Sequence, residues 1–385
     1  MANTIPLFQT SKFTKIKQLY TLIFLVSIAP VAWTQSYDTQ ERSITVEQVV
    51  DGLERPWSLA FLSNNEWLIT ERTGQLRRII NGQLQPQAIA GTPEVDTDGQ
   101  GGLLDVVPDP NYADNGWIYL SYVASDKKLF AGSGTEVVRG RIENNQWIDE
   151  QKLFVATPKQ RGGRHFGSRL VFDNEGFLYI SLGDRGDRDT AQNGKAHAGS
   201  IIRLHANGDI PESNPFVDNA DVLSEIYSMG HRNVQGMTYD SKTDTLWAHE
   251  HGPQGGDELN QVVAGKNYGW PTITYGVNYG IGTKIGIGTK KAGFEQPTTF
   301  WDPSIAPSGL ALVTSDEYPE WNGNLLVGAL KFQLIARLTL EDDAVRNEER
   351  ILEGEFGRIR DIRQGPDGYL YFLTDATNGG LYRIR

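Results

Sequence analysis

Six stretches of the chain repeat one pattern, a short apolar strand, a polar turn and a second apolar strand, and no other feature restricts the fold so strongly. They are LAFLSNNEWLITER (59–72), VVPDPNYADNGWIYLSY (106–122), LVFDNEGFLYISLGD (170–184), MTYDSKTDTLWAHEHG (237–252), LVTSDEYPEWNGNLLVGAL (312–330) and IRQGPDGYLYFLTD (362–375). After residue 43 apolar residues recur with a period of two, and no long stretch carries the 3.6-residue apolar face of a helix. Further strands such as GQLRRI, GSIIRL and GLYRIR follow several copies, giving three or four antiparallel strands per repeat. Repeats of this length suit solenoids and propellers. A solenoid leaves open edges, whereas a ring closes if SITVEQVV (43–50) pairs with the strand that ends the chain. The expected fold is all-β: one six-bladed β-propeller over 43–385, with mainly four-stranded antiparallel blades and N- and C-terminal strands closing the ring.

The formal net charge of −12 argues against nucleic-acid binding, because a phosphate backbone attracts a basic face. Residues 1–34 differ from the rest. Lys12, Lys15 and Lys17 precede LYTLIFLVSIAPVAW, followed by polar TQSYDTQERS, the order of a secretory signal. The run is short for a membrane span and is interrupted by Pro30. The expected organisation is therefore a signal peptide over 1–34, a polar lead-in over 35–42 and the propeller from 43, with a periplasmic or secreted location and no stable membrane insertion after processing. With no cysteine, the exported fold must be held by packing, bound ions or both.

Polar groups of unusual chemistry lie beside the apolar strands. They include Arg164 and His165, the loop GDRGDRDTAQN (183–193), His231-Arg232-Asn233, His249-Glu250-His251-Gly252-Pro253, Lys331, Arg358 and Arg360. In a propeller such positions converge on the axis, so an acidic protein that gathers these cations has a focused site for an anionic ligand. The 183–189 loop is read as a turn held by its aspartates, with Arg185 a pocket candidate, and the glycine-rich stretch 275–309 as a surface excursion able to wall that pocket. His249-Glu250-His251 on a strand does not have the spacing of a zinc site. Backbone carbonyls of Gly252 and Pro253, with Asp257 and Glu258 nearby, suit calcium better.

The stretches GLERPWSLAFL, GQGGLLDVVPDP, GHRNVQG, HGPQGGDELNQVVAGKNYGWP and FGRIRDIRQGPDGYLYFLTD, in order through the blades, resemble the soluble quinoprotein aldose sugar dehydrogenases related to soluble glucose dehydrogenase. The resemblance covers about residues 43–385. It implies a propeller that holds pyrroloquinoline quinone (PQQ) with calcium on its axial face and oxidises the anomeric carbon of aldoses to lactones, passing electrons to a diffusible acceptor. It places His165 at the general base and Gln100 beside the active site. Arg232, Asn233, Lys331, Arg358, Arg360 and Ser304 fall at cofactor-contacting positions. Gly252 and Pro253 fall at carbonyl ligands of the cofactor's calcium, and Glu258 and Tyr268 match part of a second calcium site. Two residues depart from soluble glucose dehydrogenase: Arg164 stands where that enzyme has an aspartate, and Arg185 where it has a glutamine, so both bear on the substrate pocket. Either a monomer or a homodimer fits. Rival readings are a non-catalytic carbohydrate- or protein-binding propeller and a calcium-dependent lactone hydrolase.

Overall fold

The structure is a computed structural model that describes residues 1–2, 34–126, 132–342 and 344–385. The chain divides into residues 1–32 and Trp33–Arg385, and the expected signal peptide falls almost wholly outside the described residues. Among the described residues no helix is long and apolar enough to cross a membrane.

The second unit is a ring of six antiparallel sheets, five of four strands and one of five. Blade 1 runs Pro56–Ser63, Glu66–Glu71, Leu76–Ile80 and Gln83–Leu84. Blade 2 runs Leu103–Pro108, Ile118–Ser125, Ser133–Glu143 and Gln146–Val155. Blade 3 comprises Leu170–Phe172, Phe177–Ser181, Ser200–His205 and Ile226–Met229, and blade 4 comprises Val234–Asp240, Thr245–Glu250, Asp257–Val262 and Thr299–Trp301. Blade 5 comprises Pro307–Leu312, Leu325–Ala329, Ile335–Glu341 and Ala344–Ile351. Blade 6 takes Ile359–Gln364, Leu370–Thr374 and Gly379–Ile384 from the end of the chain and Ser43–Leu53 from its beginning, with Val46 opposite Ile384 and Val50 opposite Leu381. The first strand of each blade touches the first strands of both neighbours, so these six line the axis.

The repeats are explained by burial on both faces of each sheet. Leu325–Ala329, for instance, is buried at every position because blades 4 and 6 flank it. Each junction has its own apolar core: Trp247, Leu259, Leu310 and Val327 between blades 4 and 5, and Ile335, Ile359, Phe372 and Ile384 between blades 5 and 6. Each such side chain contributes about 1.5–3 kcal/mol when fully buried.

The stretch expected as a lead-in is partly structural. Thr34–Asp38 adds a fifth, outermost strand to blade 6, pairing Tyr37 with Ile44. Beyond it Glu41 reaches the buried Arg337 of blade 5 at 2.9 Å. Its polar sequence hid it, since an outermost strand has no buried face to write an apolar alternation.

Candidate functional site

Two sets of loops meet at one end of the axis: those entering each first strand (Arg55, Gln100, His165–Phe166, Arg232–Asn233, Ala306, Arg358) and those leaving the second strands of blades 1, 3, 4, 5 and 6 (Arg72, Gly183–Arg185, His251–Gly256, Leu330–Lys331, Asp375–Thr377). They enclose a cavity of about 450 Å³ lined by Arg55, Trp57, Arg72, Gln100, Leu104, Phe166, Gly167, Asn233, Gln235, His251, Ala306, Leu330, Arg358, Arg360 and Asp375–Thr377. Its charged lining is four arginines against one aspartate. Asp375 Oδ2 accepts from Arg358 Nε at 3.1 Å and Nη2 at 3.0 Å and from Arg360 Nη2 at 2.8 Å. Burial acts to raise the Asp375 carboxyl, but Arg360 and Arg358 outweigh it and hold it below its usual range. Arg360 is 7% exposed and its Nε has no partner among the described residues. A cavity with this surplus of positive charge and an unsatisfied donor fits a ligand bearing carboxylates, as PQQ does.

A smaller recess adjoins the cavity through His251, with Arg232, Glu250, Gly252, Gly256, Glu258, Tyr268 and Trp270 in its wall. Arg232 donates from Nη1 to the His251 carbonyl at 3.0 Å, and its buried Nε is unpartnered. Glu258 faces Glu250 across the strand pair. Burial, then the Glu250 charge, pushes the Glu258 carboxyl well above its ordinary range. Asp257, on the same strand, is raised to about 6 by burial, although the Ala306 and Gly252 amides donate to it at 2.8 Å. Buried acids in excess beside the backbone of Gly252 and Pro253 fit a hard divalent cation with oxygen ligands. Among the described residues no three His, Cys, Asp or Glu side chains form a metal-holding group, so carbonyl ligands would have to complete the shell.

His165, in the left-handed region at φ 55°, lines neither the cavity nor the recess but precedes Phe166 and Gly167 of the cavity wall. Its Nδ1 lies 2.6 Å from Asp184 Oδ1, and its backbone N–H donates to Gln100 Oε1 at 2.7 Å. Asp184 also accepts from Trp270 Nε1 at 2.8 Å and the Gly186 amide at 2.7 Å. Burial alone would raise the Asp184 carboxyl, yet the His165 contact, the Gly186 amide and the Arg232 charge hold it below its usual value. An ionised Asp184 only accepts, so the proton of a neutral His165 sits on Nδ1 and leaves the Nε2 lone pair free. Burial, with the charges of Arg232 and Arg164, pushes the imidazole below its ordinary value despite Asp184. Two other histidines are poorer bases. His249 and His251 are both pushed down to about 3 by burial, and each ring contacts a carbonyl, Gly309 at 3.3 Å and Pro307 at 2.6 Å.

Of the other residues singled out in the sequence, Gln100, Asn233, Arg358 and Arg360 line the cavity, while Arg232, Gly252, Glu258 and Tyr268 line the recess. Asn233 Oδ1 accepts from Gly167 N at 3.2 Å, tying the strand entry of blade 4 to the His165 loop. Lys331 is exposed, with its ammonium 5.1 Å from the Phe332 ring, and is outside the cavity lining. Ser304 is half-buried and bears on Asp257. Pro253 is buried and follows Gly252 of the recess wall, without lining the recess itself. Arg185 does not line the cavity: its guanidinium lies 3.5 Å from the Phe166 ring centre, contacts the carbonyls of Gly162 and Arg164, and donates to Ser133 Oγ at 3.1 Å. Burial pushes it down to about 10. It braces the His165 loop from behind, and Arg164 is exposed and crosses Gly186, where a Cβ would collide with its Nε.

Arg55, Arg72, Asp375 and Trp270 lie outside the residues expected from the sequence, where Asp184 stands only as a turn residue. Arg55 and Arg72 carried a usable signal, since they flank the first two strands of blade 1 as Arg358 flanks the first strand of blade 6. Asp184 and Trp270 meet only through the fold, 86 residues apart.

The glucose/sorbosone dehydrogenase family profile matches residues 53–383. The aldose sugar dehydrogenase YliI of Escherichia coli K12 is 42% identical over 375 residues, covering 96% of this chain and 98% of its own. The crystal structure of the soluble aldose sugar dehydrogenase of Escherichia coli in its apo form superposes with a TM-score of 0.86 at 44% identity, covering 89% of this chain and 99% of that one. The PQQ-bound aldose sugar dehydrogenase of Streptomyces coelicolor superposes with a TM-score of 0.69 at 26% identity, covering 93% and 100%. With the profile spanning all six blades, the chain belongs to the glucose/sorbosone dehydrogenase family and is an oxidoreductase of the quinoprotein type, acting on the CH–OH groups of sugars.

Proposed function

We propose that the protein oxidises the C1 hydroxyl of aldoses to lactones with calcium and PQQ at the axial cavity. The observation that carries this reading is the His165–Asp184 pair set beside a cavity with surplus positive charge. Arg358, Arg360, Asn233 and Arg232 would hold the cofactor's carboxylates and oxygens, and the Gly252 and Pro253 carbonyls its calcium. Glu258 and the Tyr268 carbonyl would contribute to a second calcium. Once bound, PQQ supplies the two-electron acceptor for the hydride leaving C1.

His165 does the proton work. Its Nε2 takes the C1–OH proton as the hydride departs, and Asp184 keeps the imidazole in the competent tautomer and stabilises the imidazolium. Because the imidazole is held below its ordinary value, it is neutral and ready to accept at physiological pH. Gln100 fixes the backbone at His165. Arg185 lies outside the cavity lining, so it leaves room for neutral aldoses of different shapes, with the 275–309 stretch as an outer wall. The lysine-then-apolar start of the chain supports export to the periplasm or medium, where a diffusible acceptor would collect the electrons.

The test is dye reduction by purified protein given PQQ and calcium, with glucose, galactose, xylose, maltose and a uronic acid as substrates. Sugar-dependent reduction requiring both additions, across several neutral aldoses, is expected. Strict selectivity for glucose would remove the open-cleft part of the reading. Sugar binding without turnover would make the protein a binding propeller, and lactone cleavage without dye reduction would make it a hydrolase.

A further inference from the structure

Among the described residues, Arg72 is the one cavity arginine whose guanidinium is fastened to the loop that carries Gln100. It follows the second strand of blade 1, where Glu71 ends the pairing. Its Nη2 donates to the Gly99 carbonyl at 2.5 Å and its Nε to the Gly101 carbonyl at 3.3 Å, so one planar group grips the residues on both sides of Gln100. The backbone reinforces the grip. The Leu103 amide donates to the Arg72 carbonyl, and a Cβ on Gly102 would collide with that oxygen. The same loop is locked to the segment before the base, since Gln100 N donates to the Gly163 carbonyl at 2.7 Å and a Cβ on Gly99 would strike that carbonyl. Gln100 then receives the His165 amide at 2.7 Å. Arg72 lines the cavity beside Arg55, Arg358 and Arg360, and among the described residues no hydrogen bond engages its Nη1.

We propose that Arg72 is a positioning residue that couples an anion bound in the axial cavity to the placement of His165, through Gly99, Gly101 and Gln100. Resting on the function proposed above, this makes Arg72 a contact for a cofactor carboxylate as well as the anchor of the Gln100 loop. A carboxylate drawn to the guanidinium fixes a group that already holds the loop, and the loop fixes the base. A neighbouring arginine without such carbonyl bonds, Arg360, would hold the anion and leave the base where it was.

Two substitutions separate the roles. Arg72→Met removes charge and fork, whereas Arg72→Lys keeps the charge but cannot hold two carbonyls with one planar group. PQQ affinity of the full-length protein is read by quenching of tryptophan fluorescence. The titration of His165, surrounded by Asp184, Arg232 and Arg164, is read by NMR of histidine-labelled protein with and without PQQ, and turnover is read at saturating cofactor. Arg72→Met should weaken PQQ binding about 10- to 100-fold, the range of a lost charge-assisted bond. Arg72→Lys should recover most of that affinity, yet keep kcat about tenfold down with the sugar KM little changed. In both variants the His165 titration should move up toward an ordinary histidine, because a released loop lets water reach the ring, and PQQ should shift it less than in the wild type. Wild-type kcat and wild-type His165 titration in Arg72→Lys would overturn the coupling, as would loss of thermal stability with affinity and titration unchanged. If the wild type fails to oxidise any sugar, the proposed function falls, while the binding and His165 measurements still decide the role of Arg72.

Discussion

Two arginine-rich clusters sit on the propeller axis, and they differ in charge balance rather than in chemistry. At the cavity, Arg55, Arg72, Arg358 and Arg360 face Asp375 alone. One step further along the same inner strands, Arg169 and Arg363 meet Asp105 and Asp361. Arg169 Nη1 lies 3.1 Å from both carboxylates, Arg363 bridges the same two, and Ser58 Oγ and the Leu170 amide donate to Asp105. This second cluster stitches blades 1, 2, 3 and 6 together. Each cluster buries an unpartnered guanidinium nitrogen, Nη2 of Arg169 and Nε of Arg360, so the count of charges is what separates them. A balanced set closes on itself and serves the fold. A set in surplus is what the proposed function needs to receive an anion from outside.

The largest expected effect sharpens that division. His165→Ala should lower turnover about 10²- to 10⁴-fold while leaving the melting temperature and PQQ binding near wild type, because the ring's contact is Asp184 and not the closed cluster. Steady-state rates beside a thermal melt decide it, and unchanged turnover with chemistry rate-limiting would remove His165 from its role. Arg169→Leu should do the reverse. It strands Asp105 and Asp361 with Arg363 alone and should destabilise by about 3–5 kcal/mol, measured by urea unfolding, with PQQ affinity preserved in the folded fraction.

Next comes pH. A base works when neutral, so activity is present above its pKa and lost as pH falls through it. Burial and the charges of Arg232 and Arg164 hold His165 below its ordinary value, so the acid limb of kcat/KM should fall below about pH 6.5. A limb above that value would mean that the Asp184 contact outweighs burial. The smallest effect concerns Arg185. Since it braces the His165 loop from behind Phe166, Arg185→Gln should lower kcat/KM equally for glucose, xylose and maltose. Altered ranking among the sugars would instead put its side chain in the substrate pocket.

The two clusters also show what the sequence could reveal. The blades were legible because both faces of each inner sheet are buried, which writes apolar residues into every copy of the repeat. His165, Asn233, Arg358 and Arg360 stand out as polar groups beside those repeats, whereas Gln100 and the roles expected of all five come only from the resemblance, and the structure brings Gln100, Asn233, Arg358 and Arg360 to the cavity lining. The balance of charge was not legible. Asp375 closes the sixth repeat as an ordinary turn residue, and nothing local marks it as the cavity's lone carboxylate. Asp105 and Asp361 read as polar interruptions of apolar strands, and only the ring brings them to Arg169. Arg185 misled for the same reason: the sequence suggests that it follows an inner strand, but Phe177–Ser181 is the second strand of blade 3 and the guanidinium finds its carbonyls on the 160–164 segment.

On the proposed function, surplus charge at the mouth, and not arginine content along the axis, makes the cofactor site. Titrating PQQ into calcium-loaded protein by calorimetry, for the wild type, Arg360→Gln and Arg363→Gln, tests it most directly, with folding of each confirmed by circular dichroism. One PQQ per chain is expected in the wild type, with affinity about 10- to 100-fold weaker in Arg360→Gln and unchanged in folded Arg363→Gln. Equal affinity in wild type and Arg360→Gln, or a loss confined to Arg363→Gln, would contradict it.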